Sequence, residues 1–165
     1  MAKIFTYSPK EVGITIGGYT VTGWKSISIR RSVSGFMPIR GIRGKNTRVR
    51  NRDTSCTITL PIMQTSMSND VMQRIHELDM AHGTARIELT VKDASGTSVF
   101  SSFEAYILGY PEVVYSEGME FREWVIFCQS TSSYVVGGNA QVKSIFSGLM
   151  DAASGAVDAV TGAFS

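Results

Sequence analysis

The chain has 165 residues, of which 43% are hydrophobic and 18% charged, a composition typical of a single globular domain. Sixteen glycines together with abundant Ser and Thr favour strands and turns over a helical bundle. No run approaches the ~18 apolar residues that span a bilayer, and the opening residues lack the apolar centre of a signal peptide. We therefore expect a protein made in a cytoplasm, without stable membrane association.

Charge is distributed unevenly along the chain. Residues 12–52 contain nine basic side chains and no acidic one, whereas the remaining residues carry seven basic and fourteen acidic side chains. The formal net charge of +2 therefore conceals a strongly polarised molecule. A subunit polarised in this way can dock on copies of itself.

The first third of the chain has the pattern of a β-hairpin followed by a third strand. Apolar residues alternate with small or polar ones in Val12 to Ile16, Gly17-Gly18 forms a turn, and the alternation resumes in Tyr19 to Gly23. Lys25 to Arg31 continues in period two, which predicts one buried and one solvated face.

A polar segment, Val33 to Asp53, separates that strand from the next predicted strand, Thr54 to Leu60. It has no sustained apolar period, so the sequence predicts a long loop, and loops of about twenty residues are usually functional or disordered. The interpretations are an assembly arm, a nucleic-acid contact or a solvated flexible loop. The candidate residues of an assembly arm are Phe36, Arg40, Arg43, Lys45, Arg48, Arg50 and Arg52.

One helix is predicted over Ser68 to His82. Ser68 or Asn69 is the expected N-cap, and Gly83 is expected to end the helix. His76 is expected to be exposed. The predicted apolar stripe consists of Val71, Met72, Ile75, Leu78 and His82.

Two further strands, Ala85 to Lys92 and Ser98 to Leu108, form a second predicted hairpin. A last strand, Met119 to Gln129, is apolar on both faces and must be covered on both, by a second sheet and by the helix or another subunit. The Gly/Ala-rich tail, Gly137 to Ser165, predicts a weak amphipathic helix that orders only when docked. Cys56 and Cys128 lie in strand patterns and are expected to be small buried hydrophobes.

Motifs for catalysis, metals and cofactors are not found in the sequence. Gly41-Ile42-Arg43-Gly44-Lys45 lacks the spacing and the following helix of a phosphate-binding loop, and it joins strands where an RNA-binding Gly-x-x-Gly loop joins helices. His76-Glu77-Leu78-Asp79-Met80 lacks the second His of a helical zinc site. The sequence therefore predicts a binding or structural protein with no metal, no cofactor and no enzyme activity.

The order of these parts resembles the tail tube proteins of contractile-tailed bacteriophages, in the superfamily that includes type VI secretion tubes. The resemblance covers roughly residues 3–135 and is strongest in Gly17-Gly18-Tyr19-Thr20-Val21-Thr22-Gly23-Trp24. It implies a mainly β fold: a two-sheet β-sandwich or half-barrel with one flanking α-helix, a long inter-strand loop at 33–53 and a Gly/Ala-rich C-terminal tail. The β domain would then occupy residues 1–136 and the tail residues 137–165.

The resemblance also implies a function and a set of partners. Such subunits form hexameric rings that stack into a hollow conduit for DNA ejection inside a contractile sheath, and the long loop reaches a neighbouring ring. The expected partners are further copies of the chain, the sheath protein, and baseplate and tail terminator proteins. The tape measure protein and phage DNA would pass through the lumen. The expected location is the virion.

A tube that gripped phosphates would slow ejection, so acidic residues are expected to line the lumen or a subunit interface. The candidates are Glu88, Glu104, Glu117, Glu120 and Glu123. Two other functions remain open at this point. The chain could be a nucleic-acid-binding module that uses residues 40–52, or the tube subunit of a bacteriocin or type VI-like injection machine.

Overall fold

The computed structural model describes residues 7–84 and 86–138. A short 3₁₀ turn, Pro9–Glu11, precedes the first strand, and the single helix α1 of this part of the chain spans Ser68–His82. The strands are β1 (Val12–Ile16), β2 (Tyr19–Thr20), β3 (Ser28–Arg31), β4 (Phe36–Arg40), β5 (Asn46–Arg50), β6 (Cys56–Met63), β7 (Ile87–Asp93), β8 (Val99–Ile107), β9 (Phe121–Cys128) and β10 (Ser133–Val135).

Eight strands form one antiparallel sheet, seven of them in the order β2-β1-β7-β8-β9-β6-β3 and the eighth, β10, paired with β8. Strands β4 and β5 form a separate two-stranded sheet. Two strands pair with the same edge of β8. Strand β10 pairs with its first residues, Val99–Ser101, and β9 pairs with its last residues, Ala105–Ile107. The predicted mainly β fold with one helix and two sheets is confirmed.

The large sheet curls on itself. Ile29 of β3 and Val12 of β1 come from near opposite ends of the strand order, yet they line the same cavity of about 250 Å³. Arg31 of β3 also stacks over the ring of Tyr134 in β10, 5.0 Å from its centroid. The architecture is therefore a half-barrel that encloses its core on the inner face.

Strict alternation along the central strands builds this core. In β6, Cys56, Ile58, Leu60 and Ile62 are buried and the intervening residues are half-buried. Strand β9 contributes buried side chains that include Trp124 in the same way. Each fully buried aliphatic side chain contributes about 1.5–3 kcal/mol, so the alternation fixes which face points inward.

The outward face of the sheet has no such cover. Phe121, Val125 and Phe127 of β9 are only half-buried, and helix α1 packs on the inner face, where Met72 joins the core. The sequence predicts cover on both faces of this strand. Within residues 7–84 and 86–138, the outward side chains of β9 remain partly exposed, so the predicted cover is found on the inner face only.

Helix α1 has the predicted bounds. Gly83 ends it in the left-handed conformation at φ 64°, and its N–H donates to the carbonyl of Asp79. The predicted N-cap is wrong. Met67 occupies the cap position without a side-chain hydrogen bond, because Ser68 and Asn69 lie inside the helix and point into the body of the protein.

The predicted apolar stripe of α1 needs correction as well. Met72 is buried, but Leu78 is 46% exposed and His82 is exposed. His76, expected at the surface, is buried, because its ring packs edge-on against Tyr110 with 4.8 Å between centroids. The side of the helix that faces the half-barrel is therefore more polar than the helical spacing of its apolar residues predicts.

Polar contacts anchor the start of the helix to the half-barrel. The side-chain amide of Asn69 donates to the carbonyls of Met63 and Ser66 at 2.8 and 3.1 Å, and its Oδ1 accepts from the indole N–H of Trp124 at 3.0 Å. Ser68 Oγ accepts from the backbone N–H of Thr22 at 2.9 Å. These bonds satisfy groups that would otherwise be buried without partners.

Two predicted strands are shorter in the structure. β2 ends at Thr20, since Val21 turns into the core, and the strand predicted from Lys25 begins at Ser28. Residues 139–165, which include most of the predicted tail, lie outside the described residues. The division into a domain of residues 1–136 and a tail of residues 137–165 stays a prediction.

Candidate assembly surface

The segment predicted as a long loop is a β-hairpin. Phe36–Arg40 pairs with Asn46–Arg50 in antiparallel register, and Gly44 takes φ 83° in the connecting turn. The prediction of a structureless loop is wrong. Neither strand shows the alternation that reveals a half-buried strand, because Phe36 to Ile39 is a consecutive apolar run and Val49 is the single apolar residue of Asn46–Arg50.

The hairpin stands away from the body of the subunit. All ten residues of its two strands are exposed. A two-stranded ribbon is marginally stable alone in water, and both of its outer edges offer unpaired backbone groups. A protein that presents such a ribbon has a place to dock it.

One face of the hairpin is basic. Phe36, Arg40, Arg48 and Arg50 share this face, and the Arg48 guanidinium stacks over the Phe36 ring, 4.6 Å from its centroid. The structure therefore brings four of the seven predicted arm residues together. Arg43 and Lys45 lie at the turn, and Arg52 lies beyond the second strand.

The opposite face is apolar, which the sequence prediction missed. Met37, Ile39 and Val49 are 58, 49 and 44% exposed, and Ile42 projects fully into solvent at the turn. Exposed apolar groups of this size, clustered on one ribbon, mark an interaction site. Pairing Met37 with Val49 across the strands would have identified this face from the sequence.

The base of the hairpin is closed by backbone hydrogen bonds. The N–H of Asn51 donates to the carbonyl of Gly35 at 2.8 Å, and the N–H of Ser32 donates to that of Ser55 at 3.0 Å. The Asp53 carboxylate accepts from the N–H of Ser55 at 2.9 Å, and hydrogen bonding from Ser55 lowers the pKa of Asp53. The hairpin therefore leaves the body through a defined neck.

The predicted acidic residues fall into two groups. Glu88, Glu104 and Glu123 lie on the outward side of β7, β8 and β9. Glu104 forms an ion pair with Arg86 at 3.3 Å and accepts from Ser130 Oγ at 3.0 Å. Glu117 and Glu120 lie in the connection between β8 and β9, away from the first group.

That connection, residues 108–120, is a second exposed apolar surface, and we refer to it as the strap. It has no regular secondary structure and joins the end of β8 to the start of β9. In this segment the sequence analysis singled out only Glu117 and Glu120, as acidic candidates. Its exposed large apolar residues are Leu108, Tyr110, Val113, Val114, Tyr115 and Met119.

The two cysteines are free thiols buried opposite each other in the register of β6 and β9, as predicted for small core residues. Burial raises the pKa of Cys128 to about 11, so this thiol stays protonated at neutral pH. In the described part of the chain, no cluster of His, Cys, Asp or Glu is placed to hold a metal ion. Among the same residues, no helix has the length and apolar character that crossing a membrane requires.

No protein-family model matches this sequence. The chain is, however, 36% identical over 148 residues to structural protein ORF10 of Pseudomonas phage KPP10, a match that covers 83% of this chain and 85% of that protein. The chain belongs to the family of this phage structural protein. The predicted relationship to phage structural proteins is thereby confirmed, and membership of the tube class is taken up below.

Two solved structures are similar to the chain at low sequence identity. A chain of the sheath-tube complex of an extracellular contractile injection system, PVC, in its extended state matches with a TM-score of 0.51 and 12% identity, over 79% of this chain and 93% of that chain. The tube-terminating cap of the anti-feeding prophage gives a TM-score of 0.49 and 14% identity, over 82 and 95% of the two chains.

Proposed function

We propose that this phage protein is a tail tube subunit, which assembles as stacked hexameric rings into the conduit for DNA ejection within a contractile sheath. The role is structural and not enzymatic. Membership of a phage structural family supports this proposal, as does the fold shared with a chain of a contractile sheath-tube complex.

The free-standing hairpin is the observation that carries the proposal. Ten exposed strand residues, apolar on one face and basic on the other, add little to the folding of an isolated subunit. They suit an arm that reaches a neighbouring copy. The curled sheet also ends at β2 and β3, whose outer edges are unpaired in the described part of the chain and would be satisfied by joining subunits into a ring.

The arrangement of the faces suggests how a ring is oriented. Helix α1 covers the inner face of the half-barrel, so the bare outward face of the sheet would line the lumen, with Glu88, Glu104 and Glu123 toward passing DNA. The exposed side of α1, including Met67 and Met80, would face the sheath. Baseplate and terminator proteins would meet the two ends of the tube, and the tape measure protein would occupy its lumen before DNA.

Charge alone is too weak to explain docking of the arm. An exposed ion pair contributes about 0–1 kcal/mol, whereas burial of one large apolar side chain contributes about 1.5–3 kcal/mol. The face formed by Met37, Ile39 and Val49 would therefore supply most of the affinity, and the cations would set orientation and association rate.

The neck of the hairpin permits a clean deletion. Because Gly35 and Asn51 are already hydrogen bonded across the neck, residues 36–50 can be replaced by Gly-Gly without stretching the chain. We expect the variant to keep the thermal stability and circular dichroism of the body but to lose tube formation. Tubes of normal length from this variant would contradict the proposed role of the arm.

Negative-stain images of the same samples distinguish the proposed function from its alternatives. A tube subunit elongates, whereas a terminator would stop at a single ring. A nucleic-acid module would stay monomeric and bind DNA in a strongly salt-dependent way. The apolar face of the hairpin and the stacking of Phe36 under Arg48 weigh against this last alternative, since they leave no free aromatic platform on the hairpin.

A further inference from the structure

We propose that the hairpin β4–β5 of one copy docks on the strap, residues 108–120, of a second copy. Each subunit then inserts its hairpin, the donor, into one neighbour and binds the hairpin of another neighbour on its strap, the receiver. This inference rests on the proposed self-assembly and names the receiving surface. It follows from the chemistry of the two segments and from their positions in the fold.

The two segments are complementary in composition. The strap carries Glu112, Glu117 and Glu120 and no basic residue, among six exposed large apolar side chains. The hairpin carries five cations between residues 36 and 50, no acidic residue, and its own apolar face. In a complex, the apolar side chains of the two segments would contact each other, and the cations of the hairpin would face the carboxylates of the strap. The apolar contact would supply affinity, and the charge pairs would fix the register.

The strap is held in place before any partner arrives. Its first residue, Leu108, donates a backbone hydrogen bond to Val125 at 3.0 Å, and Tyr110 packs against His76. At its other end, the N–H of Gln64 donates to the carbonyl of Glu120 at 3.2 Å. A surface fixed at both ends loses little conformational entropy on binding, which favours docking.

The hairpin and the strap lie at opposite ends of one ladder. The hairpin leaves and rejoins the sheet where Arg31 pairs with Cys56, and the strap enters β9 where Phe121 pairs with Met63. Seven residue steps at ~3.3 Å separate these ends by about 23 Å. A donor at one end and a receiver at the other give a head-to-tail contact, which builds an open stack when its rotation does not close into a ring.

A further exposed apolar surface, on the outer side of α1, is less suitable as a receiver. It presents Leu78 and Met80 among charges of both signs, since Arg74 lies on the same helix as the exposed Asp70 and Glu77. A cationic hairpin would be attracted by the carboxylates there and repelled by Arg74. The strap combines exposed apolar area with acidic side chains only.

Two variants test the pairing, and each is half-competent because it keeps only one of the two proposed surfaces. Replacement of residues 36–50 by Gly-Gly removes the donor and leaves the strap. Tyr115→Ser with Glu117→Lys alters the strap and leaves the donor. The matched control is Leu78→Ser with Glu77→Lys on the exposed side of α1, which makes the same change in charge and also removes one exposed apolar side chain.

We expect wild type and the α1 control to form long tubes, and each half-competent variant alone to stop before elongation. Mixed in equal amounts, the two variants should form short assemblies with one junction, because only one donor surface meets one receiver. A strap variant that elongates like wild type overturns the docking site but not the tube function. Failure of wild type to assemble overturns both.

Disulfide trapping gives a second measurement that does not depend on loss of assembly. Ile39→Cys in one preparation and Tyr115→Cys in another place thiols on the two proposed surfaces, and the native cysteines are buried. We expect a cross-linked dimer on mixing under oxidation and little from either preparation alone. Cross-linking of Ile39→Cys with itself at the same yield would show that hairpins pair with hairpins and would refute the proposal.

Discussion

At the scale of single residues, Asn69 is a buried polar group whose side chain forms three hydrogen bonds. It is the second residue of α1, yet its side chain binds two backbone carbonyls and the indole of Trp124. The sequence suggested Asn69 as a helix cap because local rules favour Asn at helix starts. Its real partners lie 3 to 55 residues away along the chain, and only the folded structure brings the distant ones together.

The bond from Trp124 to Asn69 can be tested directly. Trp124→Phe removes the N–H donor and leaves a buried acceptor unpaired. We expect urea denaturation to show that the free energy of unfolding falls by about 1–3 kcal/mol from loss of this bond, in addition to the effect of lost packing. Trp24→Phe, at a half-buried indole, is the control. Equal losses at the two positions would show that the hydrogen bond contributes nothing.

Cys128 makes stability depend on pH in the alkaline range. Its pKa is raised from 9.0 to about 11 in the folded state, so only the unfolded thiol ionises between these values. Folded and unfolded states are both protonated below pH 9, and stability therefore falls as pH rises from 9 toward 11, by on the order of 1–3 kcal/mol. Comparison with Cys128→Ala isolates this contribution from other groups that titrate there. If both proteins lose stability in parallel, burial of the thiol does not perturb its pKa.

His76 shows a limit of local patterns. Its neighbours Glu77 and Gln73 are exposed, and nothing in the helical period requires His76 to be buried. Its cover comes from Tyr110 in the strap, a contact across 34 positions of the sequence. Burial of this kind depends on where a loop without periodicity passes, which sequence patterns do not encode.

At the scale of elements, the sequence predicted well where a strand or helix buries one face within its own subunit. Alternation located β1, β6, β7, β8 and β9, and the stop at Gly83 fixed the end of α1. The hairpin β4–β5 was missed because nothing in the isolated subunit buries its apolar face. Periodicity is strongest where the chain packs on itself, and it is weaker in an element with another partner.

Gly23 in the turn after β2 is an element-scale test of backbone conformation. It has φ 70°, and a Cβ at this position would lie 2.8 Å from Cβ of Ser66, on the segment that leads into α1. We expect Gly23→Ala to lower the free energy of unfolding by about 1–3 kcal/mol through left-handed strain and this clash. Gly13→Ala, where the space is open, should change it far less. Similar unfolding midpoints for the two variants would argue against a fixed turn.

At the scale of the whole molecule, the polarised charge predicted from the sequence corresponds to a physical separation. The cations of residues 36–50 project from one end of the β6–β9 ladder, and Glu117 and Glu120 of the strap lie at the other. The sequence identified the polarity. It could not identify the receiving surface, because the strap has neither periodicity nor a motif, and its position depends on the register of β6 and β9.

Salt should separate the two kinds of contact in a tube. At about 1 M salt the screening length falls to roughly 3 Å, so the charged part of hairpin docking should be lost while apolar contacts and strand pairing persist. We therefore expect tubes to shorten in high salt without dissolving, and rings to stay closed. Light scattering with electron microscopy follows both. Complete dissociation into monomers would mean that charge, and not the apolar face, holds the assembly.

Electron microscopy of the purified protein, beside the variant in which Gly-Gly replaces residues 36–50, tests tube formation by the arm most directly. We expect hollow tubes of uniform width and variable length for the wild type, and folded subunits or single rings for the variant. Wild-type protein that remains monomeric at high concentration, or a variant that builds equally long tubes, would contradict it.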